Sequence, residues 1–177
     1  WVATVKGTAG VSGAVTGTTV DVWSAADVSG ATHSYFGPVT IWALGSVSGA
    51  VIARGEVRIE AGGTVSGAVT AGGQDIWPDV YIRAKGSVSG AINAALGDAE
   101  LSAAGRVTSP TIQAAEDAWV WAAGGVNSQI TTGTDAIVDA RGTVSGSITS
   151  RTGRADVTVV GGDLSASVTA KRDVVVD

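Results

Sequence analysis

Along most of this chain, apolar and small polar residues alternate in short runs, and glycine separates one run from the next. Val65-Ser66-Gly67-Ala68-Val69 is one such run. A second kind carries an apolar residue at every other position: Val57, Ile59, Ala61; Val80, Ile82, Ala84; Ala99, Leu101, Ala103; and Val157, Val159. Alternation at period two predicts a strand with one buried face. Runs this short, punctuated by glycine, do not sustain a helix. Val and Thr are plentiful while Leu, Lys and Gln are scarce, which favours strand further.

The runs recur. The Val of Val-Ser-Gly falls at Val11, Val28, Val47, Val65, Val88 and Val144, and weaker copies begin at Val107, Val126 and Leu164. The spacings are 17, 19, 18, 23, 19, 19, 18 and 20 residues, a mean of about 19. A repeat of this kind marks a solenoid. An antiparallel sandwich has no need of the same residue at the same phase in each copy. The expected fold is all-β: a right-handed parallel β-helix (β-solenoid) of about nine coils of ~19 residues, rising about 43 Å at about 4.8 Å per coil. It forms one domain over residues 1–177, read as a segment of a longer repeat protein because the pattern is already running at Trp1.

Stacking then predicts buried columns. Val11 to Leu164 is one. Val15, Val51, Val69, Ile92, Ile112, Ile130, Ile148 and Val168 form another, with Thr32 as the exception. Gly13, Gly30, Gly49, Gly67, Gly90, Ser128, Gly146 and Ala166 form a small-residue column between them, expected to let facing sheets approach.

The cadence Gly63-Thr64-Val65-Ser66-Gly67-Ala68-Val69 followed by alternating apolar residues resembles the repeats of very large bacterial exoproteins, filamentous-haemagglutinin-like adhesins and autotransporter passengers among them. It is also similar, less closely, to bactofilins, cytoskeletal β-helices that polymerise end to end; the coil spacing here is less uniform than theirs. The first resemblance implies a non-enzymatic rod or stalk at the cell surface or outside the cell, serving adhesion or matrix structure. The second implies a cytoplasmic filament former. Neither carries functional residues over.

Composition narrows the chemistry. Net charge is −5, with no run of Lys or Arg, which argues against a nucleic-acid partner. No apolar run reaches the length of a membrane span. There is no Cys, hence no disulfide and no thiolate metal site, and a single His33 lacks partners for a triad or a zinc site. His33 is expected in an irregular insert over residues 31–38. A second insert, residues 72–79, holds Asp75 and Asp79, too little for a glycosidase groove. No catalytic residue and no resident cofactor are expected.

Two features remain as candidate sites. Glu56, Asp79, Asp98, Asp117, Asp135, Asp156 and Asp173 stand just before the second strand of successive coils and predict an acidic ladder. Its carboxylates either cap the turns through backbone N–H groups or hold calcium through oxygen ligands. Trp23, Trp42, Tyr81, Trp119 and Trp121 alternate with buried positions and should face outward, interleaved with Arg58, Glu60, Arg83, Glu100 and Asp139. Such a face stacks on a surface glycan, meets matrix or another partner, or lies under a neighbouring segment. The opposite face is hydroxyl-rich, with Ser12 to Ser165 in one column and Thr16, Thr70, Thr131, Thr149 and Thr169 in another. Open solenoid ends predict stacking on adjoining coils of the parent protein or end-to-end self-association.

Overall fold

The computed structural model describes residues 1–72 and 79–177. Among the described residues there are nineteen strands and no helix. After β1 (Val2–Gly7), short and long strands alternate: β2 (Val15–Gly17) and β3 (Thr19–Ser24), β4 (Thr32–Ser34) and β5 (Val39–Ala43), β6 (Val51–Ala53) and β7 (Val57–Ala61). Next come β8 (Val69–Ala71) and β9 (Val80–Ala84), β10 (Ile92–Ala94) and β11 (Ala99–Ala103), β12 (Thr111–Ala114) and β13 (Ala118–Ala122). The last are β14 (Val126–Thr132) and β15 (Ala136–Ala140), β16 (Val144–Ser150) and β17 (Ala155–Val159), β18 (Ser167–Ala170) and β19 (Val174–Val176).

The odd-numbered strands make one ten-stranded sheet and the even-numbered strands a nine-stranded sheet, both ordered by coil. Every pairing is parallel, as β1 with β3 or β14 with β16. A third ladder, one residue wide, runs through the anchor valines: Val11 bridges Val28, and the bridging continues through Val47, Val65, Val88 and Val107 to Val126. Val126 pairs with Val144 and Val144 with Leu164, so the nine expected anchors form one ladder. The chain is a parallel β-solenoid of about nine turns, matching its nine-stranded sheet.

The interior is largely aliphatic, with a few buried serines and threonines. Ile41, Ile59, Ile82 and Leu101 stack in register along the long sheet, each at most 1 % exposed. Each such side chain stabilises the fold by roughly 1.5–3 kcal/mol relative to exposure. The short sheet buries Val15, Thr32, Val51, Val69 and the four isoleucines as the spacing predicts. The two sheets co-vary. Where this column holds Ile92, Ile112, Ile130 or Ile148, the following long strand begins its inward face with Ala99, Ala118, Ala136 or Ala155. Where it holds Val15, Val51 or Val69, that position is Val20, Val57 or Val80. Ile with Ala and Val with Val differ by a single side-chain carbon, so core volume per coil is held nearly constant, as close packing requires.

The glycine column has a different cause from the expected one. A Cβ on Gly30, Gly49, Gly67 or Gly90 would run into the carbonyl oxygen of the equivalent glycine one coil earlier. The constraint therefore acts along the stacking axis, not between facing sheets. Gly13 begins the column, and a Cβ there meets nothing within 4 Å. Gly146 is held additionally by its backbone, with φ +101°.

Candidate functional site

The acidic ladder forms at the bend that leads into the long strands. The backbone N–H of Val57, Val80, Ala99 and Ala118 donates to the carbonyl of Asp79, Asp98, Asp117 and Asp135, which places these residues one above another. Glu56 and Asp173 occupy the same level, their carbonyls accepting from Val39 and Ala155. Asp156 does not. It lies inside β17, paired with Ile137 and Val175, and faces outward from the long sheet. Arg154 takes its place, its carbonyl accepting from Ala136. The apolar alternation sets this offset: Ala155 and Val157 must point inward, which leaves Asp156 pointing out.

The side chains join coil to coil. Asp79 Oδ1 accepts the N–H of Asp98 at 3.0 Å, Asp98 Oδ1 that of Asp117 at 2.8 Å, Asp117 Oδ1 that of Asp135 at 2.7 Å, and Asp135 Oδ1 that of Arg154 at 2.9 Å. Thr134 donates its hydroxyl to Asp117 as well. The Arg154 guanidinium lies 3.5 Å from Asp135 Oδ2. Burial pushes the Asp98 carboxyl above its ordinary range; the Asp117 N–H pulls it back in part, and the charges of Asp117 and Asp79 push it up again. Each carboxylate thus caps the next coil rather than its own turn. Among the described residues no group of three or more His, Asp or Glu side chains is arranged to hold a metal ion.

A matching ladder at the other bend is not among the expected sites. Asp27 Oδ1 accepts the N–H of Ser46 at 2.7 Å, Ser46 Oγ that of Thr64 at 3.1 Å, and Ser87 Oγ that of Arg106 at 3.1 Å. Its signal is the polar residue immediately before the anchor valine, in Asp27-Val28, Ser46-Val47 and Ser87-Val88.

Trp23, Trp42, Tyr81, Trp119 and Trp121 sit at outward positions of the long sheet, in two columns. Lys6, Trp23, Trp42, Glu60, Arg83, Ser102, Trp121 and Asp139 form the first. Asp21, Thr40, Arg58, Tyr81, Glu100 and Trp119 form the second. Trp23 and Trp42 are not separate platforms: their rings stack on each other, centroids 4.2 Å apart and planes 24° from parallel. Arg58 bonds Glu60 at 2.7 Å and lies over the Tyr81 ring, 4.9 Å from its centroid. Between the first column and the turn residues Thr8, Ala25, Leu44, Gly62, Lys85 and Ala104 runs an open groove of about 1010 Å³. A smaller depression of about 280 Å³ beside it is lined by Glu100, Trp119, Trp121 and Asp139. The groove follows from stacking: Lys6 with Thr8, Trp23 with Ala25, Trp42 with Leu44, Glu60 with Gly62, Arg83 with Lys85 and Ser102 with Ala104 come from successive coils.

His33 is not in an irregular insert. It occupies β4, between Thr16 and Ile52 on the outer face of the short sheet, with its ring 4.4 Å from that of Tyr35. Thr16, His33, Ile52, Thr70, Asn93, Gln113, Thr131, Thr149 and Thr169 share that column, so its threonines are interrupted. Asp75 lies outside the described residues. No described helix is long and apolar enough to cross a membrane. Comparison with protein-family models, curated proteins and solved structures returns no significant match.

Proposed function

We propose that this chain is a rigid, non-enzymatic rod segment of a large bacterial surface or secreted protein, serving adhesion or matrix structure. One observation carries this reading: at both bends, polar side chains that could do chemistry are engaged with the backbone of the next coil. Asp79, Asp98, Asp117 and Asp135 do so at one bend, and Asp27, Ser46 and Ser87 at the other. Such ladders stiffen a solenoid along its axis, where parallel backbone pairing already joins every coil to the next. The likeness of the repeat phrase to those of bacterial exoproteins supports the surface location. An antibody raised against residues 1–177 is expected to label intact cells of the source organism, and external protease to remove the label. Labelling only after permeabilisation would overturn the surface assignment.

The cytoskeletal alternative rests on the weaker likeness of the repeat to bactofilins. Filaments of this chain seen inside the cell by electron microscopy would support that reading instead.

A further inference from the structure

We infer that the groove on the outer face of the long sheet seats an acidic linear polysaccharide laid along the solenoid axis. The groove crosses seven rungs from Lys6 to Trp121. Six intervals of about 4.8 Å make it about 29 Å long. It is straight and open, a shape that takes an extended polymer rather than a compact small molecule.

Its wall has apolar blocks at two points. The Trp23–Trp42 stack stands near one end, with Trp23 47 % exposed, and Trp121 stands at the other, 36 % exposed. Indole rings exposed on a rigid sheet offer flat apolar area to the C–H faces of sugar rings at little entropic cost.

Charge selects the class of polymer. Lys6, Arg83 and Lys85 line the groove, all exposed, and none forms an ion pair among the described residues. The one carboxylate in the lining, Glu60, is already bonded by Arg58 at 2.7 Å. Free positive charge therefore gathers beside the tryptophans of a chain whose net charge is −5. Glu100, on the same strand as Ser102, and Asp139, two strands further along, line the smaller depression, so the cationic stretch ends there. Carboxylates or sulfates spaced along a polysaccharide fit cations at two levels of the groove, Lys6 at one and Arg83 with Lys85 four rungs on, and a guanidinium binds such groups through paired N–H donors. Single-stranded nucleic acid binds by stacking successive bases on aromatic side chains, and between Trp42 and Trp121 the column offers only Glu60, Arg83 and Ser102.

The test is calorimetric titration of residues 1–177 with oligogalacturonate, dextran sulfate, neutral dextran and oligo-dT, at low and high salt. Binding of one or both acidic saccharides is expected, weakening with salt; which of the two binds tighter separates a carboxylate from a sulfate ligand. Arg83→Ala/Lys85→Ala and Trp121→Ala should each weaken binding at least tenfold; the double variant should keep the parent's thermal midpoint because Arg83 and Lys85 are exposed, and Trp121→Ala is titrated at a temperature at which its melt shows it folded. Lys171→Ala, remote from the groove, should bind as the parent does. Equal binding of neutral dextran would refute the charge argument, and equal binding of oligo-dT would refute the saccharide. Absence of binding at millimolar ligand, or groove variants that bind like the parent, would overturn the site. None of these outcomes bears on whether the chain is a surface rod, which cell labelling tests separately.

Discussion

Asp98 Oδ1 accepts the backbone N–H of Asp117, one coil further on, at 2.8 Å. The same carboxyl is raised above its ordinary pKa, chiefly by burial and then by the charges of Asp117 and Asp79. A carboxyl raised in the folded state favours its protonated form. Its contribution to stability is complete below the unfolded carboxylate pKa and is lost as pH rises through the folded value. Asp98→Asn keeps the acceptor and removes the ionisation. Denaturant titrations should show the variant gaining on the parent as pH rises from 3 towards 7, levelling above the carboxylate range. Asp98→Ala removes the acceptor as well as the ionisation and should be about 1 kcal/mol less stable than Asp98→Asn at any pH. A gap between Asp98→Asn and parent that stays constant with pH would refute the shift.

Glycines of one column should respond to the same substitution in opposite ways. Gly67→Ala drives a methyl group into the Gly49 carbonyl, whereas Gly13→Ala enters open space. Gly67→Ala should cost about 3 kcal/mol or more through forced coil separation, and Gly13→Ala less than about 0.5 kcal/mol. Comparable midpoints for the two in thermal melts would show that stacking does not set the column.

Thr32 is the one polar residue in the buried column from Val15 to Val168, 1 % exposed, and its hydroxyl has no partner. Thr32→Val keeps the shape and removes a desolvated hydroxyl. The replacement should stabilise the chain by about 1–3 kcal/mol, read as a higher denaturation midpoint with an unchanged slope. A lower midpoint would mean that the hydroxyl is satisfied.

Ile112 and Ala118 should be coupled. Ala118→Val alone overfills its coil, at a cost of about 1–3 kcal/mol. Ile112→Val alone loses a methylene, at about 0.5–1.5 kcal/mol. Together they recreate the Val69–Val80 combination of an earlier coil, so the double variant should be more stable than the sum of the singles predicts. Strict additivity in a double-mutant cycle would reduce the co-variation to coincidence.

The core of the 177-residue chain is open at both ends of the stack, where β1 and β19 end the long sheet. The inward-facing Ala3 and Val5 are only partly buried at one end, and Val174 and Val176 are about half exposed at the other. In a longer chain, neighbouring coils would cover them. In isolation, sedimentation velocity should show species that lengthen with concentration, since head-to-tail stacking does not close. Val174→Lys/Val176→Lys should hold the chain monomeric. A parent that stays monomeric at high concentration would contradict this.

The period, the parallel stacking and the inward columns from Val11 to Leu164 and from Val15 to Val168 were legible in the sequence. They follow from local alternation repeated at constant phase, and burial leaves each apolar residue one side of its strand on which to sit. The aromatic face was legible for the same reason, since a residue between two buried ones must point out. Offsets and heights were not. Asp156 and Arg154 exchange places in the acidic ladder because their level depends on which neighbour reaches the core. The glycine column looked like a matter of facing sheets until the carbonyl one coil below became visible. From sequence alone the carboxylates read first as caps of their own turns and second as calcium ligands. Only the rise between coils brings Asp98 Oδ1 within reach of the Asp117 N–H. The groove beside Trp23, Arg83 and Lys85 likewise arises only when sheet and turn residues of successive coils stack, since no single coil is long enough to contain it.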